Sequence, residues 1–378
     1  MPECCALHAL LHAFRNCAAP PSHRWSALST PLGTAVDVPL PGVGQGVAMR
    51  AWVSEASSSS KALIVCLPSR GRPASDFNVL VASLSACGYR TAAVEYPGYS
   101  PKYSIGAASA AGKYTLERLA DELATVSRAL RRQSEPVILL GWAFGNRPVR
   151  MCASRHPGLA RGAVLLSAGH EPTFTPDVKL ALMAVFQGIP VVGRPMYTAA
   201  LRYACLYSPE DSPPAPVPSE LEQANELTPA IQKLLGDAKW PSEPSQLEWV
   251  GGGGVPMLCV GGVDDRIAPP LRSGHALQAS LGADLVKVVD VAGAAHMVPL
   301  EKPNEVATAI VSWLAEELAK PARYMPRLSK ASHAWSTLAA TVKLTGALKE
   351  MVEACEVRAA QAADEDEPED DMARPYQF

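Results

Sequence analysis

Residues 137–145 constrain the fold of this chain most, because a short apolar run leads there directly into a turn framed by two glycines. The run Val-Ile-Leu-Leu ends at Gly141 and is typical of a strand that is buried on both faces. A helix is predicted to follow the turn and to reach Arg155. Gly141 and Gly145 lack a side chain, so this helix can pack closely against the strand. The segment therefore predicts a strand–turn–helix unit of an α/β protein, with Ala143 at the apex of the turn.

Two later strands end close to side chains that can transfer protons. The first of these strands begins at Pro256, and Asp265 lies just beyond its carboxyl end. The second begins at Leu285, and His296 lies just beyond its end. A carboxylate and an imidazole can act together as a general base, since the carboxylate orients the ring. The chain order is thus turn, acid and histidine.

This order of Ala143, Asp265 and His296 resembles that of the α/β-hydrolase family between residues 46 and 319. The glycine-framed turn is similar to the family's nucleophile elbow. The spacings Gly-x-x-Asp-x-x-x-Pro and Gly-x-x-His assign the acid to Asp265 rather than Asp264, and the base to His296. The resemblance implies an α/β-hydrolase fold, in which helices flank a mostly parallel central sheet and an inserted helical lid covers the site.

The apex of the turn departs from the family pattern. Hydrolases of this family place a nucleophilic serine, cysteine or aspartate where this chain has Ala143, and a methyl group can neither attack a carbonyl nor hold a covalent intermediate. Ser167, at the end of another predicted strand, is an alternative nucleophile, but no glycine-framed turn supports it. Asp265 could instead cap a helix near Pro269, and His296 could be an ordinary core or surface histidine.

The resemblance also suggests which groups would hold a substrate. The loop after the predicted strand at residues 62–67 has Ser-Arg-Gly-Arg after its first proline, where family members commonly have His-Gly. A backbone N–H of Ser69 or Arg70, together with that of Phe144, is expected to form an oxyanion pocket. The two arginines of the loop would attract an anionic or carbonyl-rich ligand. The predicted substrate contacts are Trp142, Met297 and Arg72. For the tryptophan, packing in the core is the alternative.

The spacing of the predicted strands along the chain indicates how the chain is divided into core, lid and terminal segments. The stretch between the strand at Gly162 and the strand at Pro256 is too long for a plain connection, and we expect it to form the lid. The predicted organisation is a disordered leader or weak targeting segment at 1–30, the hydrolase core at 31–169 and 251–320, a helical lid at 170–250, a helical extension at 321–362 and a disordered acidic tail at 363–378.

Composition narrows the possible partners. The chain has 378 residues, is 48% hydrophobic and has a formal charge of −3, which favours one large core and disfavours nucleic acid as a partner. No apolar run is long enough to span a membrane. Nine cysteines lack the spacing of a zinc site or a disulfide framework and indicate reduced thiols inside a cell. We therefore expect no cofactor, no metal and a cytoplasmic location, unless the N-terminal segment targets an organelle. The C-terminal extension is a candidate surface for a protein partner.

Three functions agree with these residues. The first is hydrolysis of a small apolar ester, lactone or related carbonyl compound, at a site whose nucleophilic serine is replaced by Ala143. The second is an enzyme that needs no serine and uses the His296–Asp265 pair as a general base, as lyases and cofactor-free oxygenases of this fold do. The third is an inactive protein that keeps the pocket for ligand binding. Epoxide hydrolase and dehalogenase chemistry is excluded, because both require a carboxylate at position 143.

Overall fold

The structure, a computed structural model, describes residues 31–57, 59–168, 231, 234–235 and 251–321. The predicted leader and acidic tail lie outside these residues, as do nearly all of the predicted lid and of the C-terminal helical extension. Within the lid segment, the described side chains of Ile231, Leu234 and Leu235 are buried.

An eight-stranded sheet forms the centre of the fold, with strand order β1-β2-β4-β3-β5-β6-β7-β8. The strands are β1 (Thr34–Pro39), β2 (Ala48–Ser54), β3 (Leu63–Leu67), β4 (Arg90–Val94), β5 (Val137–Trp142), β6 (Gly162–Leu166), β7 (Met257–Gly262) and β8 (Val286–Val291). β2 pairs antiparallel with β1 and with β4, and every other neighbouring pair is parallel. The predicted fold class, a mostly parallel sheet flanked by helices, is confirmed.

Seven α-helices lie between or after these strands in the described part of the chain. They are α1 (Asn78–Ala86), α2 (Ile105–Ala110), α3 (Leu116–Leu130), α4 (Asn146–Arg155), α5 (Gly274–Leu281), α6 (Val298–Glu301) and α7 (Pro303–Ala319). Short 3-10 helices precede α1, α4 and α5.

The longer helices bury one face against the sheet. α3 shows the cause most plainly, because Thr115 caps it by accepting a hydrogen bond from the backbone N–H of Arg118 at 3.3 Å. Behind this cap, Leu119, Leu123 and Val126 are fully buried and lie one turn apart, on a single face of the helix. The sequence periodicity therefore fixes which side of α3 faces the core.

Successive side chains of β3 point to opposite faces of the sheet, and both faces are buried. Ile64 and Cys66 belong to one large apolar cluster together with Phe77, Leu80 and Ile310 from the α1 and α7 side. The intervening residues of β3 are equally buried and point to the opposite face, because successive side chains of a strand alternate. All five residues of β3 are thus covered on both faces, as expected for a parallel strand.

The parallel strands end together at one edge of the sheet. Leu67 at the end of β3 lies beside Gly141, and Trp142 at the end of β5 lies beside Leu166. Gly262 at the end of β7 likewise lies beside Val291 at the end of β8. In open α/β sheets, ligands bind outside the carboxyl ends of the strands. The loops that follow β3, β5, β7 and β8 are therefore the candidate site.

Candidate active site

The turn after β5 holds Ala143 in a strained backbone conformation. Ala143 has φ of +48°, a left-handed conformation that costs a residue with a Cβ atom roughly 1–2 kcal/mol. The two glycines make the turn tight: a Cβ on Gly141 would lie 2.5 Å from the carbonyl oxygen of Gly145. A short 3-10 helix at Ala143–Gly145 then leads into α4. The predicted strand–turn–helix unit is present, and Ala143 lies half-buried at its apex.

The loop after β3 lies directly against this turn. A Cβ on Gly145 would collide with the carbonyl oxygens of Leu67 and Pro68, so the glycine permits the close approach. Two tyrosine hydroxyls fix the loop, since Tyr96 donates to the carbonyl of Pro68 at 2.8 Å and Tyr99 donates to that of Gly71 at 3.0 Å. The predicted oxyanion residues of this loop are therefore held next to the apex.

Ser69, Arg70 and Phe144 are brought together by that packing. The backbone N–H of Arg72 donates to the carbonyl of Ser69 at 3.0 Å and closes a turn around Arg70. The Arg70 guanidinium carbon lies 5.9 Å from the centre of the Phe144 ring. A cation at this distance from an aromatic ring is attracted to its face.

Asp265 and His296 form a buried pair at the ends of β7 and β8. The Asp265 carboxylate and His296 Nδ1 are 2.9 Å apart, and these residues are 3% and 9% exposed. The other carboxylate oxygen accepts from the backbone N–H groups of Ile267 at 2.8 Å and Ala268 at 2.7 Å. Asp265 thus pairs with the histidine and also caps the turn before α5. The side chain of its neighbour Asp264 makes no contact of this kind with the described residues.

The surroundings of Asp265 keep it ionised. Burial pushes the pKa of this carboxyl group up, but the charge of His296, its hydrogen bond and the two backbone N–H groups outweigh burial, and the pKa lies below its ordinary value. An ionised carboxylate only accepts hydrogen bonds, so it selects the His296 tautomer that carries its proton on Nδ1. The other ring nitrogen, Nε2, is then the basic one.

Glycines explain why the loops of the acid and the histidine approach so closely. A Cβ on Gly262 would collide with the carbonyl oxygens of Ala294 and Ala295, directly before the histidine. Gly293 has φ of +66°, a conformation that favours glycine. The backbone N–H of Asp264 donates to the carbonyl of Ala294 at 3.1 Å and joins the two loops.

The backbone of His296 is held by residues at the carboxyl ends of β5 and β6. Its carbonyl oxygen accepts a hydrogen bond from Trp142 Nε1 at 3.0 Å and another from the Ser167 hydroxyl at 2.9 Å. Trp142 and Ser167 are both fully buried, and Ser167 has φ of +46°. The Ser167 hydroxyl is therefore part of the support for the histidine. Trp142, predicted as a substrate contact, lies in the apolar core.

The other two predicted substrate contacts are also buried. Arg72 forms two bonds to the Asp76 carboxylate, at 2.5 Å and 2.7 Å, and both residues are buried. This pair stiffens the loop after β3. Met297 is packed in the apolar cluster beneath the sheet edge. A substrate role for either residue stays a prediction.

Arg147 is the residue near the apex that the sequence analysis missed. It lies in the first turn of α4, and its guanidinium carbon is 5.4 Å from the centre of the Phe144 ring. Burial lowers its pKa to about 9, assisted by the positive charges of Arg150 and Arg70. Its position two residues beyond the second glycine of the turn could have indicated that it is near the site, but not the direction of its side chain.

Within the described residues, no group of three or more histidine, cysteine, aspartate or glutamate side chains is arranged to hold a metal ion. None of the helices described above has the length and apolar composition needed to cross a membrane.

Comparison with known proteins identifies the same architecture. Residues 64–309 match the family described as "Alpha/beta hydrolase family". No curated protein matches the chain.

Solved structures that resemble this one include three esterases. A thermophilic esterase from Thermogutta terrifontis has a TM-score of 0.59 and 17% identity, over 76% of this chain and 100% of its own. The carboxylesterase CesB from Bacillus subtilis has a TM-score of 0.57 and 16% identity, over 82% and 97%. An esterase from a Rhodococcus species has a TM-score of 0.56 and 17% identity, over 74% and 97%. At these identities, the likeness is one of fold.

Proposed function

This chain belongs to the alpha/beta hydrolase family, and from that premise we propose that it hydrolyses a small ester, lactone or related carbonyl compound without a covalent intermediate. The observation that supports the proposal is the buried pair of Asp265 and His296, 2.9 Å apart, beside an elbow whose apex is Ala143. The acid and the base of a hydrolase are thus in contact, while the apex offers no nucleophile. Water is the nucleophile that such a site can activate.

The proposed reaction transfers one proton in each of two steps. His296 Nε2 takes a proton from water as the water oxygen bonds to the substrate carbonyl carbon, and the carbonyl π electrons move to the oxygen. Backbone N–H groups of Phe144 and of Ser69 or Arg70 hold this oxyanion. The oxyanion then collapses, the bond to the alcohol oxygen breaks, and the protonated histidine gives its proton to the leaving alkoxide. The products are a carboxylic acid and an alcohol, and the histidine is regenerated.

The size of the expected acceleration follows from the groups involved. General-base catalysis contributes roughly 10²–10⁴-fold, and one oxyanion donor roughly 10²–10³-fold. Asp265 adds to this by holding the neutral ring in the tautomer whose proton is on Nδ1 and by stabilising the imidazolium that forms during the reaction. No acyl-enzyme accumulates in this scheme, so product release should show no burst.

The test compares p-nitrophenyl acetate, p-nitrophenyl butyrate and δ-valerolactone as substrates. We expect wild-type turnover without a burst, and a loss of roughly 10²–10⁴-fold in His296→Ala. His275→Ala is a matched control, because His275 also pairs with a carboxylate, Asp290 at 2.8 Å, but is exposed and lies on α5. This control should keep wild-type rates. Turnover that is absent in the wild type and present in Ala143→Ser would contradict the proposal and indicate a disabled serine hydrolase.

The absence of a hydroxyl group at Ala143 favours a second reaction, in which His296 Nε2 is again the base. Ala143 presents no hydroxyl group to His296, so Nε2 could equally take a proton from a carbon next to a carbonyl, which is lyase chemistry. Loss of a carbon-bound proton to solvent deuterium without ester cleavage would identify this reaction. Saturable ligand binding with no turnover in the wild type or in Ala143→Ser would instead identify a binding protein.

A further inference from the structure

The turn between α3 and β5 contains the only two adjacent arginines of the sequence, Arg131 and Arg132, and Ser134 lies two residues beyond them. We propose that Ser134 is a phosphorylation site for a basophilic protein kinase, a kinase that recognises arginines just before its target serine. The turn lies at the amino end of β5, at the opposite edge of the sheet from the catalytic pair. The inference therefore goes beyond the hydrolysis proposed above and does not depend on it.

The pattern Arg-Arg-x-Ser matches the way in which such kinases bind a substrate. Acidic side chains of the kinase pair with the guanidinium groups three and two residues before the serine. A planar guanidinium suits a carboxylate because the two can form parallel hydrogen bonds. Ser26 and Ser329 each have a single arginine, two residues before them. Ser134 is the one serine of the chain that follows a pair of arginines at this spacing.

The groups that the kinase must contact lie on the surface. Residues 131–134 are all exposed, and the buried Glu135 follows them. The side chain of Arg132 pairs with Glu55 at 2.9 Å, but both side chains are 58% exposed. Exposed ion pairs contribute little to stability, because water and salt screen them. The Arg132 guanidinium is therefore available to a kinase at little cost.

A polar cleft of about 270 Å³ beside Ser134 gives room for a phosphate group. The charge of Glu135 in this cleft is already compensated, since its carboxylate pairs with Arg90 at 2.5 Å and accepts from the Ser60 hydroxyl at 2.6 Å. A phosphate on Ser134 thus gains the positive charge of the neighbouring arginine without facing an unpaired carboxylate. All the lining residues but one are polar: Ser59, Ser60, Arg132, Gln133, Ser134, Glu135 and Pro136.

Backbone strain at Ser134 favours local opening of the turn. Ser134 has φ of +61°, a left-handed conformation that is unfavourable for a residue with a Cβ atom. The turn is closed by the backbone N–H of Glu135, which donates to the carbonyl of Arg132 at 3.2 Å. Kinases bind the residues around a target serine in an extended conformation, so this bond must break. Opening also releases the strain, which lowers the free-energy cost of the step.

The reaction transfers one phosphoryl group from ATP, which the kinase binds together with Mg²⁺. The Ser134 oxygen bonds to the γ-phosphorus as the bond from that phosphorus to the ADP oxygen breaks, and the hydroxyl proton passes to a carboxylate of the kinase. The products are phosphoserine and ADP. The added charge is about −1.5 to −2 at neutral pH, and arginines beside a phosphoserine stabilise it.

The experiment incubates the full chain with the catalytic subunit of cyclic-AMP-dependent protein kinase, Mg²⁺ and ATP. Tryptic digestion and mass spectrometry then locate the phosphate. We expect about one phosphate per chain, on Ser134. In Ser134→Gly, whose backbone suits the left-handed turn, total incorporation should fall by at least about 10-fold.

The arginine variants test how the kinase recognises the turn. Arg131→Gln and Arg132→Gln should each lower the initial rate of phosphorylation by about 10-fold or more, since each removes a charged hydrogen-bonding partner of the kinase. Arg128→Gln is the matched control. Arg128 is also exposed, on α3, and contacts His156 at 3.0 Å, but it lies six residues before the serine. This variant should be phosphorylated at the wild-type rate.

Two results would overturn the site. One is phosphate that is confined to other residues, such as Ser26 or Ser329. The other is a Ser134 that stays unmodified in the folded chain, whether or not a synthetic peptide of residues 128–137 is phosphorylated. A failure of the proposed hydrolysis looks different, because p-nitrophenyl ester turnover would be absent while Ser134 is still phosphorylated.

Discussion

Replacing Asp265 by Asn tests whether His296 works as a base that a carboxylate orients. The Asp265 carboxylate has three hydrogen-bond contacts among the described residues, one with His296 at 2.9 Å and two with the backbone N–H groups of Ile267 and Ala268 at 2.8 Å and 2.7 Å. Asn has the same size, and its carbonyl oxygen can keep both backbone bonds. Its NH2 group is a donor, however, so Nδ1 of the histidine must accept. The ring proton then sits on Nε2, and the histidine can no longer take a proton from water.

The expected magnitude follows from this change of tautomer. We expect kcat for p-nitrophenyl butyrate to fall by roughly 10²–10⁴-fold in Asp265→Asn. The fold should lose only about 1–3 kcal/mol, because both backbone bonds persist and the bond to His296 is kept with its direction reversed, although it is no longer assisted by charge. Initial rates and urea denaturation measure the two effects separately.

The pH dependence of stability gives an independent check on the same residue. Because the pKa of Asp265 in the folded protein lies below 3.8, the unfolded chain takes up the proton first as the pH falls. The stabilising contribution of Asp265 is thus complete above that pH and disappears as the pH falls through the lower, folded value. Wild type and Asp265→Asn should converge in stability towards strong acid. A folded variant with an unchanged rate would refute the role of the carboxylate.

Three further results are expected. Gly262→Ala should lower the free energy of unfolding, measured by urea denaturation, by about 1–3 kcal/mol, because its Cβ would collide with carbonyl oxygens of the loop before His296. Gly42→Ala is the neutral control, since nothing lies within 4 Å of a Cβ at that position. Ser167→Ala should cost about 1 kcal/mol through loss of the bond to the His296 carbonyl; a fluorophosphonate probe that labels this serine would contradict the assignment. Burial raises the pKa of Glu95 to about 7 from 4.5, so wild-type stability should fall as the pH rises between these values. Denaturation of Glu95→Gln across this range should lack that fall.

The part of the site that could be predicted from the sequence is the part that depends on local backbone requirements. The turn at Ala143 needs glycine on both sides, and both glycines are separated from the apex by one residue. Asp265 and His296 could be placed at strand ends because each follows an apolar run and a glycine at a fixed spacing. Parallel strands bring those ends to one edge of the sheet. A contact between Asp265 and His296 could therefore be predicted without knowing where either side chain points.

The part that could not be predicted depends on where side chains point after the elements have packed. Arg72 and Arg70 are two residues apart, yet Arg72 turns inward to Asp76 while Arg70 reaches the ring of Phe144. Trp142 adjoins the apex, but its indole is buried and donates to a carbonyl 154 residues away in sequence. Contacts between residues so far apart in sequence depend on how the strands pack. No local sequence pattern indicates them.

The energetics of the edge argue that it is built for chemistry rather than for stability. Burying the Asp265 carboxylate removes it from water at a cost of several kcal/mol, and apolar residues of similar size would often be as stable or more so. The left-handed backbone of Ala143 adds roughly 1–2 kcal/mol of strain. Strained residues and buried polar groups are concentrated at functional sites, where the packing and hydrogen bonds around them hold them in place. Here the surrounding structure includes Trp142 and Ser167, which hold the His296 backbone from two strands. A ligand that reaches this edge therefore meets the Asp265–His296 pair and the Ala143 turn in fixed positions.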